Sequence, residues 1–233
     1  MNIHKTHSRG LTVIELVIGM TITTMVAGAV AAVLTSVSQG WTHSQDIQTQ
    51  TSLTTQSLMR VNRVVRDCKQ IGATRAGGIS GTVTTPAAAL IWRADLNSDE
   101  QIQFSELALL EHDPDGDSPN DIPLHAIVWW TVQFPAGWTS AQKAAADSII
   151  SDASLYSDAE ITAFRNNFSA LVKPSVLATD VHKMKLLRID SSSTVRPALE
   201  YVLKFLDDAS GDESTKYGRT TLRAPAKLPA GYP

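Results

Sequence analysis

The residues with the clearest capacity for chemistry are the acids of one central stretch. Asp95 to Asp121 holds nine of the 23 acidic residues of the chain and neither Lys nor Arg. Within it, side chains that carry oxygen recur at alternate positions and end on a glutamate: Asp95, Asn97, Asp99 and Glu106. Calcium prefers several oxygen ligands of this kind, so the spacing predicts a calcium site.

The spacing from Asp95 to Glu106 resembles that of an EF-hand loop. There, side-chain oxygens at the first, third, fifth and twelfth positions surround the ion. Gln101 would add its backbone carbonyl. The sixth position, a glycine in EF-hands, is Glu100, and the flanks predict strands rather than helices. We therefore expect a calcium loop between two strands, with a solvated acidic turn as the alternative.

A second acidic run follows directly. Its carboxylates also have a spacing that suits a hard cation: Asp113, Asp115, Asp117 and Asp121. The run has no closing glutamate and contains two prolines and a glycine. This composition is more typical of a turn, so the run is the weaker of the two calcium candidates.

Composition excludes several classes of function. The net charge of −3 argues against a general nucleic-acid binder, and the single cysteine, Cys68, excludes an internal disulfide. No nucleophile elbow, phosphate loop or zinc-protease motif is present, and we expect no enzyme. Of Trp129 and Trp130, in an apolar run, we expect one in the core and the other exposed or at an interface.

The N-terminus reads as a membrane segment. Residues 11–34 form an apolar run of 24 residues whose one charge is Glu15. As a helix the run is about 36 Å long, enough to cross the hydrocarbon core of a bilayer. The basic flank, Met1–Gly10, predicts a cytoplasmic N-terminus with the rest of the chain outside.

Ser8-Arg9-Gly10-Leu11-Thr12-Val13-Ile14-Glu15-Leu16-Val17 closely resembles the prepilin motif of type IV pilins and type II secretion pseudopilins. The resemblance implies that a prepilin peptidase cuts between Gly10 and Leu11 and that Leu11 is then N-methylated. Glu15 would be the fifth mature residue. The family usually has Phe where this chain has Leu11.

Within that resemblance, Glu15 would neutralise the new N-terminal amine of a neighbouring subunit as helices stack in a filament. An unpaired buried charge is penalised by several kcal/mol, so this pairing would set the register. A cleaved signal peptide, with small residues at 27–31, and a simple signal anchor are the alternatives. Neither alternative explains why the apolar run contains an acid, Glu15.

The remaining pattern predicts an α+β fold of type IV pilin-like kind. We expect a leader (1–10), one helix with a transmembrane half (11–38) and a soluble half (39–71), a head (72–228) and a tail (229–233). The head would be an antiparallel sheet packed on the helix, with inserted helices at 140–153 and 158–172. The predicted strands are Ala89–Arg93, Leu107–Glu111, Ile127–Phe134, Lys185–Asp190, Leu199–Leu206 and Arg219–Arg223.

Val181–Asp190 followed by Arg196–Phe205 resembles the C-terminal half of J-type minor pseudopilins and W-type minor pilins. The two resemblances imply a minor pseudopilin in the periplasmic pseudopilus of a type II secretion-like system. The implied partners are prepilin peptidase, other pseudopilins or pilins, and inner-membrane lipid. The alternatives are a minor pilin of a type IV pilus and a membrane-anchored, calcium-binding envelope protein that forms no filament.

Overall fold

A computed structural model describes most of the chain. The described residues are 12–79, 85–96, 98–113, 122–147, 149–150, 152–167, 171–190, 196–206, 213–223 and 225. The chain divides into two compact units, Met1–Ser52 and Leu53–Pro233. The described part of the first unit is helical from Val13 onwards.

The described residues form four α-helices, one short 3-10 helix (Phe104–Glu106) and ten strands. The helices are α1 (Val13–Arg66), α2 (Ser140–Ala146), α3 (Asp152–Leu155) and α4 (Asp158–Asn167). The strands are β1 (Gln70–Arg75), β2 (Ala88–Trp92), β3 (Ile102–Gln103), β4 (Leu107–Asp113), β5 (Ala126–Val132), β6 (Ile149–Ile150), β7 (Val172–Ala178), β8 (Val181–Ile189), β9 (Ala198–Leu206) and β10 (Glu213–Thr221). The predicted α+β class is confirmed.

Three antiparallel sheets organise the second unit. Sheet 1 has the strand order β1-β2-β4-β5-β7, and sheet 2 has the order β10-β9-β8. A small third sheet pairs β3 with β6. All five residues of β2 and all seven of β4 are buried, because sheet 1 is covered on both faces.

One face of sheet 1 packs on sheet 2 and on the C-terminal part of α1. Val61 and Val65 of α1 are fully buried there with Tyr201 of β9. The Tyr201 hydroxyl donates to Asn62 Oδ1 at 2.7 Å, and the Thr220 hydroxyl donates to the same oxygen. These contacts fix the end of α1 against sheet 2.

The other face of sheet 1 packs on α3 and α4. Leu155, Ile161 and Phe164 are buried against it, and the Phe164 ring contacts Phe104 at 5.6 Å between centroids. A side chain at Gly72 of β1 would lie 2.3 Å from the Leu155 carbonyl oxygen. The glycine therefore lets α3 pack closely on the sheet.

Several element boundaries differ from the prediction. Helix α1 ends at Arg66 rather than at residue 71, and Gln70–Arg75 forms a strand across the predicted boundary between the helix and the head. The helix predicted over 140–153 is interrupted by the short strand β6. The helix predicted over 158–172 ends at Asn167, and Val172 begins β7.

The expectation for the tryptophan pair is wrong. Trp129 and Trp130 are 6% and 4% exposed. Adjacent residues of β5 point to opposite faces of sheet 1, and each face is covered, so each ring lies in a different core cluster.

Candidate functional site

The N-terminal part of α1 is apolar and exposed. Its most hydrophobic window of 18 residues has a mean hydropathy of 2.1. Among the described residues, α1 is the one helix that is long and apolar enough to span a membrane. Large apolar side chains such as Ile14, Met20 and Met25 are 65–73% exposed.

The hydroxyl groups of the apolar run are satisfied within the helix. Thr21, Thr23, Thr24 and Thr35 each donate to the carbonyl four residues earlier, at 2.5, 2.8, 3.0 and 2.9 Å. An unsatisfied hydroxyl in hydrocarbon costs several kcal/mol, so these internal bonds make the threonines compatible with a lipid environment.

Glu15 forms a reciprocal cap at the start of α1. Its Oε2 accepts the Thr12 backbone N–H at 3.0 Å and the Thr12 hydroxyl at 2.9 Å, while Glu15 N donates to Thr12 Oγ1 at 3.4 Å. The Thr-x-x-Glu pattern is the sequence signal of such a capping box, and our sequence analysis missed it. The predicted cleavage pair, Gly10 and Leu11, lies outside the described residues.

A shallow groove runs along α1 beside Glu15. Gly19 and Thr23 line it one and two turns further along the helix. Apart from the two chain neighbours and the surrounding α1 backbone, no atom of the described residues lies within 4 Å of the position that a Gly19 side chain would occupy. Small residues on one face let a second helix approach closely, so Glu15 lies on a face suited to helix–helix contact.

The acidic loop is closed by its own carboxylates. Asp95 Oδ1 and Oδ2 accept the backbone N–H groups of Asp99 and Glu100, at 3.2 and 3.3 Å. Asp99 accepts Gln101 N at 2.8 Å and Gln103 Nε2 at 3.1 Å. Glu100 has φ 59°, the left-handed conformation for which glycine is favoured at this loop position.

Glu106, the predicted closing ligand, is fully buried. Its Oε1 accepts Leu96 N at 2.5 Å, and its Oε2 accepts Trp92 Nε1 at 3.0 Å and Gln103 N at 3.4 Å. Both carboxylate oxygens therefore face donors of the protein. In this arrangement Glu106 ties the loop to β2 and β3.

The other predicted calcium ligands are only partly described. Asp113 is buried at the end of β4, whereas Asn97, Asp115, Asp117 and Asp121 lie outside the described residues. Across the part of the chain that the structure describes, no group of three or more His, Cys, Asp or Glu side chains is placed to hold a metal ion. Calcium binding stays a prediction.

Three histidines lie near the contact between the two large sheets, which the sequence did not indicate. His112 Nε2 lies 2.6 Å from the Val181 carbonyl, and Val181 N donates to the His125 carbonyl at 2.8 Å. The His125 and His182 rings are 4.9 Å apart between centroids. Burial lowers the pKa of His112, so the ring is neutral near pH 7.

Cys68 follows α1 and is buried. Its thiol donates to the Val64 carbonyl at 2.9 Å, and burial raises its pKa to about 12. A thiol with so high a pKa is a poor nucleophile at neutral pH. That this protein is not an enzyme stays a prediction.

Comparison with protein families, with curated proteins and with solved structures gives no match for this chain.

Proposed function

We propose that this protein is a minor pseudopilin-like structural subunit. Prepilin peptidase would cut it between Gly10 and Leu11 and methylate Leu11. The mature chain would then join a periplasmic pseudopilus of a type II secretion-like system. The observation that carries the proposal is the stretch from Ser8 to Val17, which combines a basic leader, a glycine and a single acid at the start of an apolar helix.

The properties of α1 support insertion in the inner membrane. The helix is apolar over its N-terminal part, and its threonine hydroxyls are bonded internally. The leader carries Lys5 and Arg9 and no acid, which favours a cytoplasmic N-terminus and a periplasmic head.

Glu15 supports assembly beyond simple anchoring. A carboxylate in this part of a membrane helix costs about 2.5–3.5 kcal/mol on insertion scales, and a neighbour's N-terminal amine would offset that cost. The cap by Thr12 uses one of its two oxygens, Oε2. The groove beside Glu15, which Leu16, Gly19, Met20 and Thr23 line, would give a second helix room to bring an amine to the other oxygen.

The decisive experiment is the mass of the N-terminal peptide from membrane fractions of cells that also contain a prepilin peptidase. We expect a peptide that begins at N-methyl-Leu11. A Gly10→Ala variant, which alters the residue before the cut, should keep its leader. An intact Met1, or a cut at residues 27–31, would contradict the proposal.

Assembly is tested separately with Glu15→Gln. This variant should insert in the membrane as the unmodified chain does and fail to enter sheared filaments. Asp46→Asn is the matched control because Asp46 is an exposed acid of α1 outside the apolar run. If Glu15→Gln assembles as well as Asp46→Asn does, charge pairing is not its role.

The same two experiments separate the alternatives. Correct processing together with incorporation into long surface fibres would favour a minor pilin of a type IV pilus. An uncut chain that stays in the membrane and enters no filament would favour a membrane-anchored envelope protein.

A further inference from the structure

The outer face of sheet 2 carries an exposed apolar patch. Cross-strand register places Tyr217 opposite Val202, and Val202 opposite Lys185, while Leu187 lies on the same face of β8. Tyr217 is 76% exposed and Leu187 is 54% exposed. We call Leu187, Val202 and Tyr217 the sheet 2 patch.

The rim of the sheet 2 patch is cationic. Lys185 and Arg219 are exposed beside it. Arg219 Nη1 lies 3.5 Å from Glu200 Oε1. The Glu213 carboxylate forms ion pairs with both Lys183 and Lys204. Four cations and two acids therefore surround the patch, and among the described residues Lys185 has no acidic partner. The surface fits a ligand that combines an apolar group with negative charge.

The head itself displays such a group. Leu96 is 64% exposed and belongs to the same acidic loop as Asp95, Asp99 and Glu100. Asp99 N and Glu100 N donate to Asp95, so these three residues are held together. We call these four residues the acidic knob.

We propose that the sheet 2 patch binds the acidic knob of a second copy of this chain. Leu96 would pack between Leu187 and Tyr217, and the knob carboxylates would face Lys185 and Arg219. The two surfaces differ, so the contact is heterologous and can repeat from one subunit to the next. It adds a head-to-head contact to the proposed filament, and in that respect it rests on the proposed function.

The contact is small compared with a stable dimer interface, which buries about 1,600 Å². Helix assembly would supply the missing affinity by raising the local concentration of heads. We therefore expect the heads to associate where the full chains are already gathered in a membrane or filament.

Cysteine pairing in membranes tests the contact. Full-length Leu96→Cys and Tyr217→Cys chains are co-expressed and oxidised in the presence of a calcium chelator, and we expect a disulfide-linked dimer. Leu124→Cys paired with Tyr217→Cys is the matched control, because Leu124 is 62% exposed and lies outside the knob. The native Cys68 is buried and stays in place.

A charge exchange makes the test specific. Lys185→Glu on the Tyr217→Cys chain should reduce the dimer several-fold, and Glu100→Lys on the Leu96→Cys chain should restore it. Equal dimer from the Leu124 control, or no dimer from the Leu96 pair, would overturn the contact. N-terminal mass from the same samples reports processing, so failure of the contact and failure of the proposed function are read separately.

Discussion

Replacement of Glu106 by Gln tests whether the buried carboxylate stabilises the acidic loop without any metal. Glu106 accepts Leu96 N, Trp92 Nε1 and Gln103 N, and it is fully buried. A glutamine keeps one acceptor oxygen and turns an N–H group towards a donor at the other. The loss of a charged acceptor together with an unsatisfied buried N–H should cost about 2–4 kcal/mol.

The assay is urea unfolding of the full chain in detergent micelles, followed by tryptophan fluorescence and carried out in a calcium chelator. Trp92, which donates to Glu106, is a native reporter of the loop. Glu100→Gln is the matched control because it removes an exposed acid from the same loop, and it should change the unfolding free energy by less than about 0.5 kcal/mol. If the two variants are equally stable in the chelator, the structural role of Glu106 is refuted.

Three further predictions concern the head. Gly218→Ala should lower the unfolding free energy by about 1–3 kcal/mol, because the new methyl group would lie 2.3 Å from the buried Tyr201 ring. Gly137→Ala is the control, since a side chain at Gly137 would meet open space. Equal urea midpoints for the two variants would contradict this packing. Cys68 should resist alkylation from pH 7 to 9 and react only after unfolding, since its thiolate forms near the pKa of about 12. Fast labelling of the folded chain would contradict this prediction, because it would show that the thiol is accessible. Calcium should raise the melting temperature of the native chain and not that of Asp95→Ala, whereas no shift in either chain would leave the loop a solvated turn.

The sequence predicted the elements whose pattern is set locally. The apolar run predicted the first part of α1, and the helix predicted to begin at residue 140 does begin there, behind a capping box from Thr139 to Gln142. Strands β2, β4, β5, β8 and β9 lie where the apolar and β-branched runs indicated. In each case the residues that form the helix or strand also carry the sequence pattern that predicts it.

The missed strands depend on distant partners. Gly72 is of a residue type typical of turns, yet it lies in β1, which pairs with β2, and Leu155 occupies the space that a side chain at Gly72 would need. Pro174 argues against a strand, yet β7 is an edge strand of sheet 1, where a missing N–H is tolerated. The secondary structure at both positions depends on contacts with residues distant in sequence. A short window of sequence does not contain those partners.

The sequence predicted which residue types form the candidate site, but it did not predict the hydrogen bonds between them. The alternate acids of the loop were visible, but the burial of Glu106 against Trp92 depends on how β2 and β4 pair. The contacts of His112 with Val181 and of His125 with His182 join segments far apart in the chain. Three isolated histidines in a sequence give no sign of this proximity.

The bond between Thr220 and Asn62 joins residues 158 positions apart, and Arg223 N donates to the carbonyl of Arg66 at 2.8 Å. β10, the last strand of the described residues, therefore completes the packing around the C-terminal end of α1. Until β9 and β10 have been synthesised, Val61 and Val65 have no cover from sheet 2. The C-terminal end of α1 therefore reaches its final packing only after β10 has been made, and a chain that stops before β10 leaves this apolar surface open to aggregation or proteolysis.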